Sequence, residues 1–151
     1  MTDDSRTAGD AAWYQAVADS YLFRSLDAQE RALLLRVGAE IAVDAGEVIL
    51  HQGEECDAFF FILDGTVKVS TSKGTDVIPL AELERGSLLG EVATLTGGTR
   101  TATAVALTQT RLVRFPAKAI HAVLENNPKI KKLIEKVVAR RAEDTIEKTL
   151  Q

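Results

Sequence analysis

The chain predicts a mainly β fold with flanking helices, an antiparallel β-roll of the jelly-roll kind preceded by N-terminal helices and followed by two C-terminal helices. Two observations carry this. Between about residues 40 and 115, runs of β-branched and aromatic residues alternate with Gly, Asp and Ser, and no helical period interrupts them. On either side of that stretch, apolar residues return at three- and four-residue steps. The 151 residues fit one domain. They divide into a flexible tail over 1–10 and a single domain over 11–151, with the roll at about 40–115 and the C-terminal helices at about 116–150.

The elements follow in order. Trp13, Tyr14 and Val17 make a helix-compatible stripe over 11–20. Ser25 is a candidate N-cap, and Asp27 and Glu30 place acidic residues in the first turn of a second helix. Leu33, Leu34 and Val37 give that helix its apolar face, with an end near Gly38. Short strands are predicted at 41–43, 48–50, 59–63, 66–70, 76–80, 101–107 and 111–115. Asp64-Gly65 signals a hairpin, because a tight turn between strands needs positive φ, and Lys73-Gly74 is a second, weaker signal. Pro79 lacks an amide donor, so its strand belongs at an edge or a bulge. Pro116 suits a first helical position, with Ala119, Ile120, Val123 and Leu124 behind it. Pro128 opens a longer helix striped by Ile130, Leu133, Ile134, Val137, Val138, Ala142 and Ile146.

Composition removes several function classes. The chain is 46% hydrophobic and 26% charged, with a net charge of −4, a balance unlike the basic surface that non-specific nucleic-acid binding needs. No apolar run approaches the roughly 18 residues of a membrane helix, and the polar start has no secretory pattern. The single cysteine, Cys56, cannot form an internal disulfide, which suits a reducing compartment. The expected location is the cytoplasm, with neither nucleic acid nor membrane as partner. His51 and His121 lack the paired spacing of metal ligands, and no nucleophile with base and orienter is recognisable. No catalytic residue, no metal and no enzyme activity are expected.

The most informative segment is 86–102. Arg100 supplies a permanent cation with a planar fork of donors, suited to a phosphate. Glu91, ionised, only accepts hydrogen bonds, as a sugar hydroxyl requires. Residues 91–95 can form a helical turn whose leading amides, at Val92 and Ala93, face an anion, and Gly90 permits a close backbone approach. Together these describe a seat for a phosphate that also carries a sugar, with Glu91 and Arg100 facing one hollow. Taken alone, a Glu and an Arg nine residues apart also fit a structural ion pair across a turn.

Gly90, Glu91, Val92, Ala93, Arg100, Thr101 and Ala102 together resemble the phosphate-binding cassette of the cyclic nucleotide-binding domain family, of the catabolite-activator and protein-kinase-A-regulatory-subunit type. The resemblance extends upstream through Gly46 and Gly53, and through residues 57–69 with Gly65 at a turn, covering about residues 22–140. One departure is Leu89, where the family often has Phe before the Gly-Glu pair; it bears on packing more than chemistry.

The resemblance implies a binding module for cAMP or cGMP, a stand-alone domain without a helix-turn-helix. Thr101 stands where a hydroxyl residue in that family is often compatible with cGMP as well as cAMP. The resemblance further implies a C-terminal helix that moves toward the pocket, with Ile134, Val137, Val138 and Arg140 or Arg141 as lid residues over the base. The same stripe fits plain core or a homodimer seam. The downstream protein is unknown. The competing expectation is an interaction or dimerisation domain that kept the fold without the ligand.

Overall fold

The computed structural model describes residues 12–150, with side chains from 12 to 141. The tail assigned to 1–10 and the stripe residues Ala142 and Ile146 lie outside the described residues or side chains. The chain begins with α1 (Tyr14–Ala18) and α2 (Ala28–Leu35). Eight strands follow: β1 (Ala39–Val43), β2 (Val48–Leu50), β3 (Ala58–Asp64), β4 (Val67–Lys73), β5 (Asp76–Leu83), β6 (Leu88–Leu89), β7 (Thr103–Ala106) and β8 (Thr110–Pro116). A short helix, α3 (Glu91–Thr96), lies between β6 and β7. Two helices, α4 (Ala117–Glu125) and α5 (Pro128–Leu150), complete the described chain.

The strands form two antiparallel four-stranded sheets, ordered β1-β8-β3-β6 and β2-β7-β4-β5. β3 explains the layering. Its side chains alternate faces, as every strand's must, yet nearly all are apolar. Phe59, Phe61 and Leu63 join one cluster with Val17, Leu22, Phe23 and the inner faces of α4 and α5. Ala58, Phe60 and Ile62 join a second cluster inside the roll, with Leu50, Val67, Leu89, Ala104 and Leu112. The strand is therefore buried on both sides, which is why its sequence reads as a continuous apolar run. Phe59 and Phe115 face each other across β3 and β8, with ring centroids 4.9 Å apart and planes 17° from parallel.

The Asp64-Gly65 hairpin expected from sequence is not a hairpin. β3 and β4 belong to different sheets, and the chain crosses between them at this point. Gly65 does take positive φ, +107°, but its absent side chain makes room for a neighbouring crossing: a Cβ there would stand 2.5 Å from Thr110 Oγ1. The connection from β7 to β8 also changes sheets, and the two crossings bond to each other, Leu107 N to Thr66 O at 2.8 Å and Thr66 N to Thr108 Oγ1 at 3.1 Å. The weaker signal, Lys73-Gly74, is the hairpin, since Lys73 pairs with Asp76. Pro79 sits on the edge strand β5 and beside a register shift, where its missing donor costs no ladder bond.

Other boundaries moved for local reasons. Asp27, not Ser25, caps α2: its carboxylate accepts from Glu30 N while Glu30 accepts from Asp27 N, a reciprocal capping box. Pro116 is extended and closes β8 instead of opening α4. β7 begins at Thr103, two residues later than expected, and the two-residue β6 was too short to show a period. No helix among the described residues is long and apolar enough to cross a membrane.

Candidate functional site

Residues 90–102 leave the end of β6, turn through α3 and return to β7. Gly90 caps α3 in the left-handed region, φ +74°, a conformation that costs a residue with Cβ. The first intrahelical bond of α3 runs from Thr94 N to Gly90 O at 3.1 Å. The amides of Val92 and Ala93 precede it and are left without an intrahelical acceptor, as at any helix start. Val92 packs on the helix-side core.

Arg100 is held from both ends. Its backbone joins the 53–55 segment, through Gly53 N to Arg100 O at 2.8 Å and Arg100 N to Glu54 O at 2.9 Å. Its side chain turns inward beneath α3 and is only 4% exposed. Nη1 lies 3.4 Å from both Gly90 O and Thr94 Oγ1, and Nη2 donates to Ala58 O. Thr94 Oγ1 in turn donates to Ala58 O at 3.0 Å. The close approach anticipated at Gly90 is thus made by Arg100 itself, since a Cβ on residue 90 would collide with Nη1. Among the described residues the carboxylate nearest the guanidinium is Asp57, 3.7 Å from Nη2, whose side chain is 79% exposed and also lies 3.6 Å from Arg114.

Glu91 is 6% exposed, and its Oε2 accepts from the Tyr21 hydroxyl. Burial first, then the negative charge and hydrogen bond of Glu91, push the Tyr21 phenol above its ordinary value, against the opposing charge of Arg141. The Arg141 guanidinium stands 5.1 Å from the centre of the Tyr21 ring. Among the described residues Glu91 and Arg100 form no ion pair with each other, so the structural pairing allowed by their spacing is not present. The cassette brings Gly90, Glu91, Val92, Ala93 and Arg100 together but gives the two charged side chains separate protein partners.

The remaining expected residues spread out. Thr101 is exposed; its carbonyl accepts from Thr71 Oγ1 at 3.0 Å. Ala102 is half-buried just before β7. Ile134 and Val138 are buried in the helix-side core, and α5 packs along α3. Val137 and Arg141 border a groove of about 610 Å³, lined also by Tyr21, Arg24, Leu133 and Arg140. His121 of α4 places Nε2 3.2 Å from Thr94 O, tying α4 to the cassette, and no metal-binding group of His, Cys, Asp and Glu occurs among the described residues.

The cyclic nucleotide-binding domain family matches residues 40–127, from β1 through the cassette to the end of α4. The chain belongs to that family. The N-terminal domain of a transcriptional regulator from Streptomyces coelicolor is 28% identical with a TM-score of 0.73, covering 87% of this chain and 92% of that one. The catabolite activator protein of Thermus thermophilus is also 28% identical, with a TM-score of 0.71 over 86% of this chain and 62% of that one. Lysophospholipase nte1 of Neosartorya fischeri is 34% identical over 109 residues, 72% of this chain. The chain spans only 7% of that relative's length.

Tyr21 and Asp57 were not singled out from the sequence as site residues. Tyr21 lies 70 positions from Glu91, and nothing local to it marks the contact. Asp57 has a weak signal, as an acidic residue directly before a run of six buried strand residues.

Proposed function

We propose that this domain binds a cyclic purine mononucleotide, cAMP or cGMP, at the cassette and signals by moving its C-terminal helices, without chemistry of its own. One observation carries the reading: a buried cation and a buried anion flank Gly90 with hydrogen-bonding capacity to spare. A guanidinium has five N–H donors, yet among the described residues the side-chain bonds of Arg100 run from Nη1 and Nη2 only. Its single carboxylate contact among the described residues is long and solvated. Glu91 accepts one hydrogen bond, at Oε2, while Oε1 accepts none among the described residues. Buried ionised groups are costly when incompletely paired. A phosphate at Arg100 and the Val92 and Ala93 amides, with a ribose hydroxyl at Glu91, would satisfy both.

Thr101 adds a hydroxyl that makes no hydrogen bond among the described residues and leaves both purines acceptable. The lid is the part of the reading that demands movement. Ile134, Val137, Val138 and Arg141 could cover a base only if α5 left its packing on α3, a change that phosphate capture by the cassette would bias as a population shift. An unidentified downstream protein would then read the position of α5, as a partner or as a second copy of the chain. The place suited to such a sensor is the cytoplasm.

Titration calorimetry with cAMP and cGMP, on the natural sequence and on Arg100→Ala, tests the reading. A loss of at least about tenfold in affinity is expected for the variant, the scale of one charge-assisted hydrogen bond. Equal affinity would remove Arg100 from the site. No binding of either nucleotide to the natural sequence would leave the domain as an interaction module of the same fold.

A further inference from the structure

Tyr21 occupies the connection between α1 and α2, with buried Leu22 and Phe23 beside it anchoring that connection to the core. Ser20 Oγ, bonded to Val17 O at 2.6 Å, braces the turn on the other side. The phenol is consequently delivered to Glu91 by a fixed segment. A carboxylate turns readily about its last side-chain bond unless something holds it. Among the described residues the hold is applied to Oε2 alone, which restricts the rotation of the group and the direction of Oε1.

We propose that Tyr21 is a positioning residue of the cassette, holding Oε2 of Glu91 so that Oε1 is presented to the ribose hydroxyl of the bound cyclic nucleotide. The inference rests on the reading of residues 90–102 as a cyclic nucleotide seat. Its chemistry is simple: the ribose hydroxyl donates to one carboxylate oxygen and the phenol to the other, so the two donors act together rather than compete. The two oxygens of a carboxylate have capacity for both.

The test compares Tyr21→Phe with the natural sequence by calorimetry, using cAMP, cGMP and the 2′-deoxy form of each. Thermal melting first establishes that the variant is folded. The expected result is a loss of about fivefold in affinity for the ribose ligands, part of the worth of one hydrogen bond to a charged group, with the 2′-deoxy ligands changed by less than about twofold. An equal loss for ribose and deoxy ligands would make Tyr21 a merely structural residue and overturn the proposal. Tighter binding of the ribose ligands would make it a competitor for Glu91, which also overturns it. If the natural sequence binds ribose and deoxy ligands equally, Glu91 does not contact the hydroxyl; the proposal falls while the phosphate seat stands. If neither protein binds any of the ligands, the cassette reading itself fails and takes the proposal with it.

Discussion

The guanidinium of Arg100 fills the space that a side chain on Gly90 would occupy, with Nη1 3.4 Å from the Gly90 carbonyl oxygen. Two demands therefore fall on residue 90: a left-handed backbone at φ +74° and room for a buried cation. Gly90→Ala should violate both. The expected cost is about 1–3 kcal/mol of stability from backbone strain alone, with weaker nucleotide binding because Arg100 must shift. Thermal melting and calorimetry on the same sample would check it, and an unchanged melting temperature with unchanged affinity would refute the coupling.

Asp57 offers a contrasting case. It lies within 4 Å of both Arg100 and Arg114, at 3.7 and 3.6 Å, but its side chain is 79% exposed. Solvent screens such pairs, so Asp57→Asn should change stability by less than about 1 kcal/mol. The bonds to Ala58 O, Gly90 O and Thr94 Oγ1 hold Arg100 without it. Denaturant unfolding measures this directly, and a loss well above 2 kcal/mol would show that Asp57 is the principal anchor of the guanidinium.

Tyr21 makes stability depend on alkaline pH. Its folded value is raised above the ordinary 10.0 by burial and then by Glu91. Above that ordinary value an unfolded chain releases a proton that the folded chain retains. The folded state then binds more protons, so stability is fully present below pH 10.0 and falls as pH rises further. Tyr14 adds to the trend, since burial raises it as well. Urea midpoints measured from about pH 9 to 11 should decline, and Tyr21→Phe should flatten the decline without abolishing it. An identical slope in the variant would place the effect elsewhere.

Much of the molecule was legible along the chain because local chemistry marks it. Pro128 at the head of α5, Pro79 at an edge bulge, the two-residue turn after Lys73 and the fully apolar run of β3 each state their role through backbone or pattern. Gly90, Glu91 and Arg100 also stood out as a group, because the anion seat proposed for them needs those residue types close together in sequence. Asp64-Gly65 was misread for an instructive reason. Positive φ signals a turn, but it does not say whether the chain folds back into its own sheet or crosses to the facing one.

Sequence alone determined the class of fold, because periodicity records burial directly, and the family, through the resemblance that residues 90–102 carry. Only the tertiary structure decided that Arg100 lies beneath α3 on Ala58 O, that Glu91 takes its hydrogen bond from Tyr21, and that Ile134 and Val138 are packed into the core. Those facts depend on which faces meet across long stretches of chain. A buried donor finds whichever acceptor the packing brings within reach, and no local pattern records that choice.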